Sequence, residues 1–438
     1  MIHKFHLLDR FILLDVASGA VHEIDRAAYD LLDTIKAPMT ENPPEGLDEE
    51  EREIWAELYE LQQKGQLFTP DVPVPDAPET VLKALCLHVA HDCNLRCAYC
   101  FASTGDFGGG RKLMSRETGE RAIDFLLSKC GARRNLEIDF FGGEPLMAMD
   151  TVKHVVDYAR AKAPEKNFRF TITTNGLLLN DENIEYINRE MSNAVLSLDG
   201  RRDVHDTLRK TVSGGGSYDI IVPKYKNLIA GRKGDYFVRG TFTARNLDFV
   251  NDVNEIEREG FRNISLEPAV LPNGHPLALT EENLPFLLLE YERLLERILQ
   301  GRDYSFFHFQ IDLEQGPCVY KRVRGCGAGY EYAAVTPEGD IYPCHQFVGN
   351  EAYRMGSVFG GSMDSAISER FRTMSIDTRE DCRICWARYY CSGGCAASNL
   401  TAEGDIGKCY SLGCALERKR VECAILLKAA HLNEKELH

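Results

Sequence analysis

The placement of cysteine is the strongest constraint on what this 438-residue chain can fold into. The sequence has 15 cysteines, an odd number, so they cannot all pair as disulfides. Three lie within Cys93–Cys100, and ten lie within Cys318–Cys423. The N-terminus has no secretory signal pattern, and dense cysteines in a reducing compartment usually bind metal or act in catalysis. The sequence therefore predicts two metal-binding regions in a cytoplasmic protein.

Composition excludes several other classes of protein. The hydrophobic fraction of 44% and the charged fraction of 27% are those of an ordinary globular protein. Apolar runs stay well short of the ~18 residues that a membrane span needs. The net charge of −16 argues against broad nucleic-acid binding, which requires a basic surface. We therefore expect neither nucleic acid nor membrane as a partner.

The chain divides into three regions, and residues 1–75 form the first. Phe11–Asp25 is predicted to be a β-hairpin, and Arg26–Ile35 and Glu49–Lys64 are predicted to be helices. Thr69–Thr80 is rich in proline and is predicted to be a linker. The first region therefore has the pattern of a small separate module.

Residues 76–310 alternate between strand-like and helix-like segments. The predicted strands are Ala84–Ala90, Leu136–Phe141, Phe168–Thr174, Ala194–Leu198, Phe237–Phe242 and Ile264–Glu267. The predicted helices are Ser115–Ser128, Val152–Ala161, Ile184–Arg189, Val250–Glu259 and Glu281–Gln300. Six such units predict an α/β fold, a TIM-like partial (β/α)6 barrel whose active site lies at the carboxyl ends of its strands.

Residues 311–438 form a loop-rich third region that ends in a predicted helix, Ala415–His431. Glycine, proline and cysteine dominate its first hundred residues. Such a segment buries little apolar surface, and metal ligation can stabilise it instead.

The first cysteine group has the spacing C-x3-C-x2-C and follows the first barrel strand directly. Three thiolates, from Cys93, Cys97 and Cys100, can hold three irons of a cubane cluster and leave the fourth iron open to a ligand. The alternative is a structural zinc site with His91 as the fourth ligand.

With an aromatic residue, Tyr99, before the last cysteine, this motif resembles the signature of radical S-adenosylmethionine enzymes. The resemblance implies that Cys93, Cys97 and Cys100 bind a catalytic 4Fe–4S cluster. The open iron would chelate S-adenosylmethionine, whose reductive cleavage gives a 5′-deoxyadenosyl radical that abstracts a substrate hydrogen.

Further motifs fall in order after successive predicted strands. FGGEP resembles the family's GGEP motif, and TTNG, SLDG and HDTLRK follow it along the chain. By resemblance the cofactor-binding residues are Tyr99, Gly142, Gly143, Glu144, Asn175, Ser197, Asp199 and Arg209. The Gly-Gly, Asn-Gly and Asp-Gly pairs within these motifs are also common turn dipeptides. The support for cofactor binding therefore comes from the order in which the motifs follow successive strands.

The second cysteine region resembles the SPASM domain, which carries two auxiliary 4Fe–4S clusters. Its pattern C-x12-G-x4-C is followed by C-x2-C-x5-C-x3-C and later cysteines. By resemblance Cys326, Cys344 and Cys395, with Cys318 as a possible fourth, hold auxiliary cluster I. Cluster II takes Cys382, Cys385, Cys391 and a last ligand, Cys414 or, as runner-up, Cys409.

Cys318 decides whether auxiliary cluster I is closed by the protein or keeps an iron for a substrate thiolate, and the sequence leaves this open. A pair of zinc sites is the alternative for the whole array. Cys86, Cys130 and Cys423 are predicted to be buried structural thiols.

The first region resembles the PqqD-like leader-recognition domain, a winged-helix-like fold to which a leader peptide adds a strand. Three segments resemble the maturases of SCIFF peptides, which are ribosomally made and rich in cysteine: Leu85–Ser115, Glu314–Gly349 and Gly413–Ile425. Together with the N-terminal module, this resemblance covers essentially the whole chain. That family joins a cysteine sulfur to a carbon of an acceptor residue, which gives ranthipeptides or sactipeptides. The implied partners are such a precursor peptide and an external one-electron reductant.

In the implied mechanism, a donor cysteine held as a thiolate on or near auxiliary cluster I attacks a carbon radical on the acceptor residue, and the cluster takes up the remaining electron. Two alternatives stay open. One is a sulfatase-type maturase that makes formylglycine, against which the N-terminal module argues. The other is a non-catalytic iron–sulfur or zinc scaffold that only binds peptide. The precursor, the acceptor residue, the carbon attacked and the oligomeric state are not determined by the sequence.

Overall fold

A computed structural model describes residues 1–71, 73–311 and 323–436, with side chains to residue 430. The N-terminal residues form an antiparallel sheet in the order β1-β2-β3, covered on one face by two helices. The elements are β1 (Ile2–Leu7), β2 (Arg10–Asp15), β3 (Val21–Ile24), α1 (Arg26–Leu31) and α2 (Glu49–Gln63). The predicted hairpin and both helices are present, whereas β1 was not predicted. Asp48 begins α2 with a capping box that it forms with Glu51.

The barrel is built from six parallel strands. They are β4 (Ala84–His91), β7 (Asn135–Gly142), β8 (Asn167–Thr174), β9 (Asn193–Ser197), β11 (Asp235–Phe242) and β12 (Asn263–Pro268). Short strands β5 (Leu95–Cys97), β6 (Lys112–Leu113) and β10 (Arg209–Thr211) lie in the loops between them. The helices are α3 (Arg116–Lys129), α4 (Met149–Lys162), α5 (Asp181–Glu190), α6 (Arg202–Leu208), α7 (Tyr218–Ala230), α8 (Phe249–Arg258) and α9 (Leu284–Leu299).

The order of strands in the sheet is β12-β11-β9-β8-β7-β4, and every neighbouring pair is parallel. Parallel order with a helix after each strand places all carboxyl ends at one edge. The predicted α/β fold with a partial barrel is confirmed. All six strands agree with their predicted bounds to within two residues.

Two helices of the barrel were not predicted. Helix α6 has only seven residues, too few for an apolar periodicity to be visible. Helix α7 contains Pro223, which read from sequence argues against a helix interior. Pro223 is the sixth residue of α7, so its missing N–H removes the single hydrogen bond that would otherwise reach the carbonyl of Asp219.

The C-terminal region continues the barrel sheet rather than forming a detached unit. Strand β13 (Ser305–Phe306), which ends the barrel region, pairs with β12, and β14 (Tyr332–Val335) of the C-terminal region pairs parallel to β4. Strands β15 (Asp340–Tyr342), β16 (Gly356–Ser357) and β17 (Ser362–Met363) extend this edge. Five helices of the described region follow, namely α10 (Ser365–Thr373), α11 (Glu380–Arg383), α12 (Arg388–Cys391), α13 (Ala396–Glu403) and α14 (Ser411–Glu436).

Helix α14 of the C-terminal region contacts both other regions. It packs along α9 of the barrel and against the N-terminal sheet. Phe5 and Leu7 of β1 share one hydrophobic core with Val421 and Ala424 of α14. No helix among the described residues is long and apolar enough to cross a membrane.

The N-terminal module also contacts the C-terminal cysteine region directly. The His3 ring stacks on Trp386 with centroids 3.7 Å apart, and His3 Nε2 lies 3.0 Å from Glu422 Oε1. Asp71 pairs with Arg388. These contacts fix the module and its linker beside the segment Cys382–Cys391.

Replacing His3 with alanine should loosen this contact. Loss of the stack and of the partly buried hydrogen bond to Glu422 should cost about 1–2 kcal/mol. Backbone amides of residues 384–390 should then exchange hydrogen faster in mass-spectrometric measurements. His6→Ala is the matched control, since His6 stacks on Phe11 within the module. Equal exchange in both variants would contradict this docking contact.

Candidate active site

The first three predicted cysteines lie on a loop that is held by a two-stranded ribbon. After β4, the chain returns through β5, which pairs antiparallel with β10 so that Cys97 faces Arg209. Cys93, Cys97 and Cys100 are all partly buried and line one cavity. Burial raises the pKa of Cys93 to about 11 and that of Cys97 to about 12. Three neutral thiols therefore point into the cavity, and only a bound metal centre would keep them as thiolates.

The two glycines after β7 allow a close backbone approach. At Gly142, where φ is +131°, a Cβ would lie 2.2 Å from Ala90 O, and at Gly143 it would lie 2.2 Å from Asp92 O. Any side chain would therefore push β7 away from the start of the cysteine loop. Both glycines also line the cavity. Their first role is thus to let β7 pack against this loop.

Glu144 is fully buried and links β7 to β8. Its carboxylate accepts hydrogen bonds from Leu146 N at 3.0 Å, Thr174 Oγ1 at 2.8 Å and Asn175 N at 2.8 Å. Burial raises the pKa of Glu144 to about 7. Through these three bonds Glu144 joins the loop after β7 to the end of β8.

Asn175 connects Glu144 to the cysteine loop, because its backbone N–H donates to Glu144 and its side chain contacts the loop. Its Nδ2 donates to Asn94 Oδ1 at 2.8 Å and lies 3.6 Å from Cys93 Sγ. Cys93 Sγ also accepts from Leu95 N at 3.4 Å. Donors to sulfur favour the thiolate form, so they suit a metal ligand.

Asp199 anchors the other side of the loop and is fully buried. It accepts a hydrogen bond from the Tyr99 hydroxyl at 2.6 Å and one from Thr241 N at 3.0 Å. Arg209 Nε lies 3.0 Å from Asp199 Oδ2, and its guanidinium covers the Tyr99 ring. The predicted residues Tyr99, Asp199 and Arg209 thus form one buried network beside Cys97.

A cavity of about 1040 Å³ joins the two cysteine regions. Its lining includes Cys93, Cys97 and Cys100 on one side and Cys391, Cys395 and Cys414 on the other. The predicted residues Asn175 and Ser197 also line it. This volume exceeds that of a typical small-ligand pocket and admits a cofactor together with part of a second molecule.

The C-terminal cysteines fall into two groups. The Cys395 and Cys326 thiols add to the burial that raises the pKa of Cys344 to about 12, so these three lie together. In the second group, Cys382 Sγ lies 3.4 Å from Cys409 Sγ. The same group contains Cys385, Cys391 and Cys414, whose charges interact with one another or with Cys409.

The two candidates for the last ligand of cluster II lie at the same place. Cys409 contacts Cys382, and it also hydrogen-bonds to Cys414. Cys318 lies outside the described residues. Among the described residues, no three His, Cys, Asp or Glu side chains are arranged to hold a single metal ion.

Cys130 and Cys423 are buried. Cys86 is also buried, but it lines the cavity and hydrogen-bonds with Tyr332. Its position on β4, next to the cavity wall, was not evident from the sequence because the contacting strand β14 comes 246 residues later.

An aromatic wall of the cavity was also missed. The ring of His345 lies 5.0 Å from that of Phe141 and 5.8 Å from that of Phe101. Burial lowers the pKa of His345 to about 4, so the imidazole is neutral at pH 7. The one available signal in the sequence was its position directly after a predicted cluster ligand.

Asp139 lies on the inner face of β7 and lines the cavity. Burial raises its pKa to about 6, above the ordinary 3.8. The folded protein then binds more protons than the unfolded chain between about pH 4 and 6, so Asp139 lowers stability as pH rises through that window.

Asp139→Asn should therefore stabilise the protein above pH 6, by about 3 kcal/mol, and give little gain near pH 4. Thermal midpoints measured anaerobically at several pH values test this. Glu117→Gln is the control, since it removes one carboxylate at an exposed position of α3, away from β7. A gain that does not depend on pH would contradict the assignment.

Two profiles of known families match the chain. One is described as a 4Fe-4S single cluster domain and matches residues 83–221. The other, SPASM, is described as an iron-sulfur cluster-binding domain and matches residues 326–386. Between them they include all three cysteines of the first group and four of the second region, Cys326, Cys344, Cys382 and Cys385.

Three relatives have been compared by sequence. An uncharacterised protein of Archaeoglobus fulgidus is 25% identical over 54% of this chain, which spans 58% of that protein. A cysteine-type anaerobic sulfatase-maturating enzyme of Clostridium novyi is 24% identical over 72% of this chain and 87% of its own length. The mycofactocin maturase MftC of Mycolicibacterium smegmatis is 27% identical over 80% of this chain and 90% of its own.

Two solved structures share the fold. Native anSMEcpe with bound AdoMet has a TM-score of 0.66 at 19% identity, over 80% of this chain and 99% of that one. Streptococcus suis SuiB bound to S-adenosylmethionine has a TM-score of 0.57 at 16% identity, over 94% of this chain and 98% of that one.

Proposed function

Because the chain is a radical S-adenosylmethionine protein with a SPASM domain, which uses 4Fe–4S clusters and S-adenosylmethionine, we propose that it cross-links a peptide. The substrate is a ribosomally made, cysteine-rich peptide of the SCIFF type. The product carries a thioether between a cysteine sulfur and a carbon of an acceptor residue. The observation that carries this proposal is the single cavity that the two cysteine regions share.

The residues present fit the implied groups. Cys93, Cys97 and Cys100 would hold the catalytic cluster, since three thiols on one loop face a cavity that has room for another ligand. When bound, the cluster and S-adenosylmethionine supply the 5′-deoxyadenosyl radical that removes a substrate hydrogen.

The chain's own residues orient this site. Asn175 and Glu144 fix the loop from the β8 side, and Asp199 and Arg209 fix it from the β9 and β10 side. Tyr99 presents its ring to Arg209 and its hydroxyl to Asp199. The loop lies at the carboxyl ends of the strands, where barrel chemistry occurs, and this position supports the proposed cofactor-binding role.

The auxiliary cysteines would lie across the cavity from this loop. Cys326, Cys344 and Cys395 would hold cluster I, with Cys318 as a further candidate. Cys382, Cys385 and Cys391 would hold cluster II together with Cys414 or Cys409. A donor thiol of the substrate in the cavity would lie between the catalytic cysteines and these groups.

The N-terminal module would bind the leader part of the substrate. Strand β3 pairs only with β2 among the described residues, so its other edge has no partner strand, and this is the edge that we propose for an added strand. Strand addition supplies affinity through backbone hydrogen bonds. SuiB, which shares the fold over 94% of this chain, has also been solved bound to its precursor peptide SuiA.

Anaerobic co-expression with a small cysteine-rich peptide encoded nearby tests the proposal. Mass spectrometry should show two hydrogens lost per cross-link, with sulfur retained, and fragmentation should locate the bridged carbon. The matched control is the same co-expression with the Cys93→Ala, Cys97→Ala, Cys100→Ala variant. An unmodified peptide with the wild-type enzyme would reject this pairing.

A second candidate function is formylglycine formation, which the likeness to the Clostridium novyi enzyme favours. Oxidation of cysteine to formylglycine removes the sulfur, and the product aldehyde reacts with a hydrazide probe. The same mass measurement therefore separates the two functions. The N-terminal module favours the thioether reaction, because a leader-binding module serves a precursor peptide.

A further inference from the structure

The negative charge of this protein is concentrated in its N-terminal module. Residues 1–68 contain 6 Lys+Arg against 15 Asp+Glu, a net charge of −9. The other 370 residues contain 45 Lys+Arg against 52 Asp+Glu, a net charge of −7. More than half of the charge of −16 thus belongs to less than a sixth of the chain.

Ion pairs within the module do not remove its excess of negative charge. Four of the six basic side chains already form ion pairs with acidic side chains of the module. These pairs are Lys4–Asp33, Arg10–Glu23, Arg26–Asp30 and Lys64–Glu60. The module therefore has acidic side chains left over and few basic ones to neutralise them.

Much of the excess lies on the solvent face of α2. Glu49, Glu53 and Glu57 are exposed, follow one another at i,i+4 spacing, and form no ion pair among the described residues. Glu49 is in the first turn, where an acidic residue favours the helix. Glu53 and Glu57 lie beyond that turn, and like charges at this spacing destabilise a helix. Helix stability therefore does not account for this acidic row.

The same module has an open sheet edge. Strand β3 pairs on one side only among the described residues, and Glu23 and Asp25 lie on and directly after it. An added strand receives backbone hydrogen bonds there whatever its sequence. The surrounding charge then decides which segment binds, because a field of one sign attracts the opposite charge and repels its own.

We propose that the segment bound at the β3 edge is basic, so that the leader of the substrate carries a net positive charge from lysine or arginine. This inference rests on the proposed function for the identity of the ligand as a leader peptide. It adds that electrostatic attraction to the acidic module selects the leader. Association should then be fast at low salt and should weaken as ionic strength rises, since the screening length is about 8 Å at physiological salt.

Fluorescence anisotropy with the reconstituted full-length protein tests this with defined probes. Two fluorescein-labelled 12-residue peptides share a threonine- and valine-rich strand-forming sequence and differ only in carrying four lysines or four glutamates. The lysine peptide should bind at least about 10-fold more tightly in 50 mM salt, and the difference should shrink at 300 mM salt. Equal binding of both peptides would overturn the proposal.

A charge variant localises the effect. The triple variant Glu49→Gln, Glu53→Gln, Glu57→Gln should weaken binding of the lysine peptide by about 3- to 10-fold. The control, Glu117→Gln, Glu165→Gln, Glu282→Gln, removes the same charge at exposed barrel positions and should change binding little. If both variants weaken binding equally, the module does not select the peptide and the proposal fails.

The two proposals fail in different ways. If co-expression yields a thioether and the natural leader is neutral or acidic, the basic-leader inference is wrong and the proposed function stands. If no thioether forms while the lysine peptide still binds the module selectively, the proposed function is wrong and the charge selectivity of the module stands.

Discussion

Replacing Cys93, Cys97 and Cys100 together by alanine should abolish formation of 5′-deoxyadenosine and leave the protein folded. Removing a whole catalytic unit leaves little residual activity, so a loss of about 10³-fold or more is expected. The iron content should fall by about one third, since one of three clusters would be missing. Anaerobic assay by liquid chromatography and iron analysis measures both.

Cys130→Ala is the matched control for this variant. Cys130 is buried at the end of α3 and is not one of the predicted ligands. Its loss should leave iron content and 5′-deoxyadenosine formation near wild type, with a small loss of stability. If the triple variant keeps its iron and its activity, the first cysteine group does not hold the catalytic cluster.

Asp199→Asn should have the second-largest effect, this time on stability. The substitution leaves the Arg209 guanidinium buried next to a neutral group, with its side chain only 11% exposed. Breaking a buried charge pair on one side costs about 3–5 kcal/mol. Anaerobic thermal denaturation of the reconstituted protein should show a large fall of the midpoint.

Tyr99→Phe isolates the smaller contribution in the same network. It removes one hydrogen bond to Asp199 and keeps the ring under Arg209, so a cost of about 1 kcal/mol is expected. A variant Asp199→Asn as stable as Tyr99→Phe would show that the pair with Arg209 does not hold the cysteine loop.

The barrel was predictable because its signal is local. Each strand is an apolar run followed by a turn motif, and the order of the motifs along the chain gave their common edge. The resemblance to the SPASM pattern likewise separated Cys326 and Cys344 from Cys382 and Cys385, and these pairs lie in different groups of thiols in the structure. Local periodicity and spacing are visible in sequence without knowledge of tertiary contacts.

What the sequence could not reveal depends on contacts between distant residues. Gly142 is required by its approach to Ala90, on another strand, and Glu144 is buried by the end of β8 rather than exposed in the cavity. The stack of His3 on Trp386 joins residues 383 positions apart. No pattern within one segment indicates such pairs.

The distribution of charge is an intermediate case. The acidic excess of residues 1–68 can be counted from the sequence alone. Only the fold shows that four of the six basic side chains of the module are already paired and that the acidic row on α2 faces solvent. Counting by folded unit, rather than over the whole chain, is what makes the net charge informative about a partner.

Transfer of deuterium from a fully deuterated precursor peptide tests the central claim most directly. The peptide is incubated anaerobically with the reconstituted enzyme, S-adenosylmethionine and dithionite, and the 5′-deoxyadenosine formed is analysed by mass spectrometry. The account predicts one deuterium in 5′-deoxyadenosine for each cross-link, and a peptide that retains all of its sulfur. Unlabelled 5′-deoxyadenosine together with an unmodified peptide would contradict it.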